Sequence, residues 1–220
     1  MDLSRFNQPG GGDFEAAPAG VHNAVCYAVI DLGTQTQAKF QSTEVEDVPL
    51  IELRWEIDEQ REDGKRFMVM KRYRASMHEK AALRIHLEAW RGTPFKDSDF
   101  APGGFSMQKL LGQGCQIQVT HSETGKAKIA AIMKLGKGMK PLKSEIEPFM
   151  IDLESAATFD RQAFEALSEN MKTTIAKSPE FQAIMKAGKA NGATDRSGKR
   201  QPGGMSEVVH TEDLDDEIPF

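Results

Sequence analysis

The feature that most constrains the fold is an alternating run followed by a tight turn and a second β-type run. Residues 48–60 read VPLIELRWEIDEQ, with apolar side chains at the odd positions from Ile51 to Ile57 and charged ones at the even positions. A period of two is typical of a strand with one buried face. The Asp-Gly pair at 63–64 favours a hairpin turn, and RFMVMKRYRA at 66–75 supplies a partner strand. The sequence therefore predicts an antiparallel hairpin.

The segments around this hairpin complete a β-rich unit with one internal helix. A strand is expected at 20–33, with the polar residues after it forming a loop or a continued ribbon. A helix is expected at 78–92, capped by Ser76 and ended by Gly92, and two more strands at 115–122 and 127–135. The order β1-β2-β3-α-β4-β5 is that of the OB-fold, a five-stranded barrel, although five strands and a helix can also be wound in other ways. The expected fold class is mainly β, an OB-fold-like five-stranded barrel with C-terminal helices and a disordered acidic tail.

The flanking segments differ in character from this unit. Residues 1–19 are rich in glycine and small residues and are expected to form a flexible arm. The unit itself is assigned to 20–150. A helical extension is expected at 151–188, with Asp160 and Ser178-Pro179 as helix starts and Gly188 as a stop. Residues 189–220 are expected to be a disordered linker and an acidic tip.

Charge is distributed unevenly along the chain. Residues 1–63 carry 4 Lys/Arg and 13 Asp/Glu, residues 64–143 carry 16 and 5, and residues 144–220 carry 8 and 15. The middle third is therefore strongly basic, although the whole chain has a net charge of -5. Such a distribution indicates an anionic partner for the middle and a cationic one for the terminus.

The basic middle contains the candidate DNA-binding residues. Single-strand binding needs cations along the backbone and flat rings on which bases stack, and the strand 2–3 face and the 4–5 loop carry both residue types. The candidates are Lys65, Arg66, Phe67, Lys71, Arg72, Tyr73, Arg74, Lys126, Lys128, Lys134, Lys137 and Lys140. For Phe67, core and stacking roles are both open; Tyr73 favours stacking because arginines flank it. Trp55 shares its parity with apolar residues and favours the core.

The sequence gives little support for a metal site, a phosphate-binding loop or a catalytic centre. The five histidines show no metal-ligand spacing, no CxxC occurs, and no glycine-rich segment matches a phosphate-binding loop. Glu52, Glu56 and Asp58 share one strand face and could hold Mg²⁺ in a nuclease, but a solvated strand face is the favoured interpretation. We therefore expect no enzyme activity, no cofactor and no metal. Cys26 and Cys115 are expected as buried free thiols in a reducing cytoplasm.

The C-terminus is the second candidate site. It reads DLDDEIPF, and the last 16 residues contain six acids and no Lys or Arg. A solubilising tail does not need the apolar ending, whereas a docking tip would use the ring and α-carboxylate of the last residue as an anchor and the acids for steering. The candidate partner-docking residues are Asp213, Asp215, Asp216, Glu217, Ile218, Pro219 and Phe220.

These residues carry a resemblance to known families. DLDDEIPF resembles the acidic tip of bacterial single-stranded DNA-binding proteins, which commonly ends Asp-Asp-Asp-Ile-Pro-Phe; Glu217 replaces the third Asp. The segments 73–95 and 110–132 resemble phage-encoded proteins of the replication and recombination region that are taken to bind single-stranded DNA. The resemblance implies that residues 215–220 dock replication, recombination and repair proteins, such as a helicase, primase, polymerase or nuclease accessory factor.

The expected function is thus a phage single-stranded DNA-binding protein that coats exposed strands and recruits partners through its tip. A strand-annealing or recombination accessory protein, with helices at 160–187 that build a homo-oligomer, is the alternative, and an adaptor that binds no DNA is a third hypothesis. No run of apolar residues is long enough for a transmembrane helix, and from the residues before the first strand we expect no secretory signal. We expect a location in the cytoplasm of a bacterial host cell and no membrane partner.

Overall fold

A computed structural model describes residues 15–39 and 42–194 of the chain. The β-rich part contains β1 (Gly20–Ala38), β2 (Val45–Gln60), β3 (Arg66–Arg74), helix α1 (Ala82–Arg91), β4 (Gly114–His121) and β5 (Ala127–Met133). A short strand β6 (Phe149–Ile151) and helices α2 (Arg161–Glu165), α3 (Glu169–Ala176) and α4 (Pro179–Thr194) follow. Two 3₁₀ turns, Asp97–Phe100 and Met107–Leu110, lie between α1 and β4. No described helix is long and apolar enough to cross a membrane.

The six strands form one sheet, whose main path runs β3-β2-β1-β4-β5 with every neighbouring pair antiparallel. β6 pairs with β1 in parallel, alongside Ala28–Ile30, after β4 has paired with Gly20–Val25. The protein is therefore mainly β, as expected from the sequence. The expected closed barrel is not formed, because no strand ladder joins the edge strands β3 and β5 within the described residues.

The hairpin and the first helix follow from local signals. Gly64 adopts a φ of 78° at the turn between β2 and β3, as the Asp-Gly pair indicated. Helix α1 buries Leu83, Leu87 and Trp90 and ends at Gly92, whose φ is 71°. Its start differs from the expectation: Ser76 does not cap it, and the helix begins at Ala82, with Ala81 at the N-cap position. Instead, the Ser76 hydroxyl accepts a hydrogen bond from the backbone N–H of His78.

Two apolar cores lie on the two faces of the sheet. The first core packs α1 against one face and includes Trp55, which is fully buried as the sequence favoured. The second core packs β6 and helices α2–α4 against residues of β1 and β2 such as Ile30 and Leu50. Since Leu50 and Ile51 enter opposite cores, both faces of β2 are covered along part of its length.

The expectation of a solvated face on β2 is therefore wrong at Glu52 and Glu56, whereas Asp58 at the end of the strand is exposed. Glu52 is 0% and Glu56 is 2% exposed. Glu52 accepts hydrogen bonds from the Nε atoms of Arg54 (2.7 Å) and Arg72 (2.6 Å). Oε2 of Glu56 accepts hydrogen bonds from the Ser144 hydroxyl and from the backbone N–H groups of residues 145 and 146. The two carboxylates remain buried because each has dedicated donors.

The last helix is longer, and the C-terminal segment more closely attached to the sheet, than the sequence indicated. Helix α4 continues through Gly188 to Thr194, past the expected stop and six residues into the expected linker. The carboxylate of Glu180 accepts hydrogen bonds from the backbone N–H (2.9 Å) and the hydroxyl (2.5 Å) of Thr34, joining α4 to β1. β6 also crosses the expected domain boundary at residue 150.

Candidate nucleic-acid interface

The unpaired edges of β3 and β5 leave a groove on the open side of the sheet. Its volume is about 460 Å³, and it will be called the edge groove. Its lining comes from three segments: Ala16 and Ala17, residues 68–70 of β3, and residues 124–129 of the β4–β5 hairpin. At the end of the groove, Nζ of Lys71 donates a hydrogen bond to the Ile129 carbonyl (2.8 Å) and links the two edge strands. The groove is therefore an opening in the sheet, bounded by two strands.

Local contacts hold the walls of the edge groove in place. The β4–β5 turn is closed by hydrogen bonds between Ser122 and Lys126 and between Gly125 and Ser122. Gly125 has a φ of 75°, a conformation that favours glycine. On the opposite wall, the Tyr27 hydroxyl donates a hydrogen bond to the sulfur of Met68 (3.4 Å). Nε2 of His121 is 2.8 Å from the carbonyl oxygen of residue 17, which ties the incoming N-terminal segment to β4.

The groove combines apolar surface with uncompensated positive charge. The side chains of Met68 and Met70 are 44% and 56% exposed. Lys126 and Lys128 are exposed on the hairpin and form no ion pair within the described part of the chain. Thioether side chains adapt to irregular partners and make favourable contacts with aromatic rings, while lysines neutralise phosphates. Such a lining can hold an unpaired strand with its bases on the sulfurs and its phosphates on the ammonium groups.

The three candidate arginines already have acidic partners. Arg66 pairs with Glu145 at 3.2 Å and also donates to the Lys143 carbonyl. Arg72 pairs with buried Glu52. Arg74 pairs with Glu46 on β2. The arginine charge on β3 is thus largely balanced within the fold. Two of the three acidic partners, Glu46 and Glu52, come from the acidic first third of the sequence.

The two aromatic candidates lie in the first core. Phe67 is 5% and Tyr73 is 4% exposed, and both rings point to the inner face of the sheet with Val69. The Tyr73 hydroxyl lies 2.9 Å from Nδ1 of His86, a partly buried polar contact. Neither ring offers a face to solvent, so the stacking surface expected at these two positions is not present there. The alternation along β3 could have predicted the burial of both rings, because Phe67, Val69 and Tyr73 lie on the same face of the strand.

The remaining candidate lysines are exposed but scattered. Lys65 lies in the β2–β3 turn, and Lys137 and Lys140 lie in the segment after β5. Lys134 lies beside the end of α1, where its backbone N–H donates to the Ala89 carbonyl (3.1 Å). These four do not line the edge groove. Of the twelve predicted DNA-binding residues, the structure places Lys126 and Lys128 in the groove and Lys71 at its end.

Met68 and Met70 were missed by the sequence reasoning. Their parity on β3 is that of Arg66, Arg72 and Arg74, and a strand face that carries three arginines points away from an apolar core. The alternation could therefore have identified both methionines as outward-facing.

Two other questions raised by the sequence concern a metal site and the C-terminal tip. No group of three His, Cys, Asp or Glu side chains in residues 15–39 and 42–194 could hold a metal ion. The predicted docking residues, 213 and 215–220, lie outside the described residues. Comparisons with protein-family models, with curated proteins and with solved structures find no match to this chain.

Proposed function

We propose that this chain is a non-enzymatic single-stranded DNA-binding protein that holds the strand in the edge groove. The observation that carries the proposal is the juxtaposition of Met68 and Met70 with Lys126 and Lys128 across an open sheet edge. Duplex DNA presents no unstacked bases to such a groove, so a preference for single strands is expected. Few polar groups line it, which favours binding with little sequence preference.

The strand order supports an OB-fold arrangement for this part of the chain. The helix between the third and fourth strands and the sheet order β3-β2-β1-β4-β5 both agree with it. In OB-folds, oligonucleotides bind strands 2–3 and the loops joining strands 1–2 and 4–5. The edge groove uses the third strand and the 4–5 turn, so its position fits this mode.

Binding is tested by fluorescence anisotropy of labelled single-stranded DNA, duplex DNA and RNA over a range of salt concentrations. We expect single-strand preference and affinity that falls steeply with salt. In Lys126→Ala/Lys128→Ala, the slope of log K against log[salt] should become shallower by about 1.4, since each phosphate contact on a single strand contributes about 0.7. Lys186→Ala, an exposed lysine on α4, is the matched control and should keep the slope.

The methionines should affect binding differently. Met68→Ala/Met70→Ala should weaken affinity roughly five- to thirtyfold, from about 0.5–1 kcal/mol per sulfur contact, without changing the salt slope. Ile85→Ala, an exposed apolar residue on α1, serves as the control. Absence of single-strand binding at low salt would refute the proposal. Equal effects of the methionine and Ile85 variants would place the strand elsewhere.

We propose further that the tip recruits replication and recombination proteins while the edge groove holds DNA. Support comes from the sequence DLDDEIPF, in which an acidic run precedes one aromatic residue at the terminus. Phe220→Ala should leave DNA affinity unchanged and reduce capture of a purified replication partner, because the aromatic anchor is lost. Leu214→Ala, within the same segment, is the control for a change at the terminus. Loss of DNA affinity in the Phe220 variant would contradict this separation of roles.

A further inference from the structure

A second groove follows the edge groove along β3. Its volume is about 430 Å³, and it will be called the β3–α1 groove. Its lining comprises Lys71, Arg72, Tyr73, Arg74, Ser76, His78, Lys80, Ala81 and Ala82. The edge groove takes residues 68–70 of β3 and the β3–α1 groove takes 71–74, so the two grooves use successive residues of one strand. Six residue steps from 68 to 74 span about 20 Å of extended strand.

The β3–α1 groove is lined by basic residues and by no acidic one. Arg72 and Arg74 keep about half of their side-chain surface exposed, 50% and 57%, in spite of their ion pairs. Lys80 is exposed, and neither it nor Lys71 forms an ion pair within residues 15–39 and 42–194. An anion in this groove would therefore meet two ammonium groups without an acidic partner among the described residues, Lys71 on β3 and Lys80 in the segment that leads into α1.

Lys71 connects the two grooves. Its side chain lines the β3–α1 groove, and its Nζ donates to the carbonyl of Ile129, which lines the edge groove. Burial lowers the pKa of this ammonium group, and an anion beside it would offset that effect. The first turn of α1 adds no negative charge, since it contains no acidic residue and Ala81 provides no side-chain cap.

We infer that the β3–α1 groove holds further phosphates of the strand bound in the edge groove. The strand then runs along the free edge of β3, from the β4–β5 turn to the start of α1. This inference rests on the proposed function and specifies the length and chemistry of the site. The β3–α1 groove offers no thioether, its Tyr73 ring is buried, and the imidazole of His78 is its exposed ring, so its contribution to affinity is mainly electrostatic.

The first test is the salt slope of Lys80→Ala on a single strand of about twelve nucleotides. We expect the slope to become shallower by about 0.7, and by about 2.1 in combination with Lys126→Ala/Lys128→Ala. Lys186→Ala again controls for net charge. A Lys80→Ala slope equal to that of the unmodified protein, with a reduced slope for Lys126→Ala/Lys128→Ala, would overturn the inference and leave the proposed function intact. Absence of binding by the unmodified protein would refute both.

The second test places the change on the DNA. Two strands carry neutral methylphosphonate linkages, one at its 5′ end and one at its 3′ end. If one end of the strand lies in the β3–α1 groove, Lys80→Ala should weaken binding of the unmodified strand and of one methylphosphonate strand. It should not change the affinity for the other methylphosphonate strand, whose neutral end occupies the groove. The end at which the effect disappears gives the polarity of the strand. An effect of Lys80→Ala that persists on both methylphosphonate strands would overturn the inference. Thermal unfolding of Lys80→Ala verifies that its fold is intact.

Discussion

Replacement of Glu52 by alanine should destabilise this protein more than replacement of any exposed acid on the same strand. Glu52 is fully buried and accepts hydrogen bonds from Arg54 and Arg72. A terminal nitrogen of Arg72 lies 3.3 Å from the sulfur of Met171 on α3. The carboxylate thus holds the guanidinium of Arg72 against α3 and also fixes that of Arg54, and its removal deprives both of this counter-charge.

The expected magnitude follows from the exposure of the two arginines. Removal of one member of a fully buried ion pair costs about 3–5 kcal/mol. The Arg72 side chain is 50% exposed and can regain water, whereas that of Arg54 is 18% exposed and regains little. We therefore expect a loss of about 2–3 kcal/mol in the free energy of unfolding. For a chain of this size, that corresponds to a decrease in Tm of roughly 5–10 °C.

Differential scanning calorimetry and urea unfolding measure this change, and hydrogen exchange locates it. Amides of α3 should lose protection in Glu52→Ala, because Arg72 no longer has a fixed position beneath Met171. Glu46→Ala is the matched control: it removes the partner of the exposed Arg74 from the same strand at a partly exposed site and should change Tm little. Equal Tm values for the two variants would refute the argument that Glu52 organises this face of the sheet.

Two further predictions concern backbone conformation and the thiols. Gly33→Ala should lower the free energy of unfolding by about 2–4 kcal/mol, because Gly33 has a φ of 64° and a Cβ there would lie 2.4 Å from that of Ser178. Gly125→Ala is the control: Gly125 has a φ of 75° but open space around it, so this change should cost about 1 kcal/mol. Equal losses of the two variants in urea unfolding would contradict the steric argument. Burial raises the pKa of Cys26 to about 12 and that of Cys115 well above its ordinary value, so both thiols stay protonated at about pH 8. Ellman's reagent should therefore label neither in the native protein and both in denaturant, and rapid native labelling would show that the buried sites open.

The parts of the fold that sequence predicted well depend on neighbouring residues. The β2–β3 hairpin follows from an Asp-Gly turn between two β-type runs, and the end of α1 follows from Gly92. The covered outer face of β2 could not be predicted in the same way. A period-two pattern is identical whether the polar face meets water or meets protein donors. The donors to Glu56 come from residues 144–146, about 90 positions away.

In the candidate site, too, features set by neighbouring residues were predictable, and features set by residues distant in sequence were not. Lys126 and Lys128 directly follow a tight turn, so their exposure was predictable from the turn itself. The availability of the β3 arginines was not, because Glu46 and Glu145 reach them from other parts of the chain. The groove depends on the missing β3–β5 pairing, which no local pattern encodes.

The pairing of β1 on both edges has a consequence for synthesis on the ribosome. β2 and β4 cover most of β1, but the edge at Ala28–Ile30 pairs with β6, which is encoded about 120 residues later. At about 5–20 residues per second, those backbone groups wait roughly 6–24 s for their partner. During that interval the nascent chain has a completed hairpin with one uncovered apolar face, the target to which a chaperone would bind. That face stays uncovered until β6, which is only three residues long, and helices α2–α4 have been synthesised.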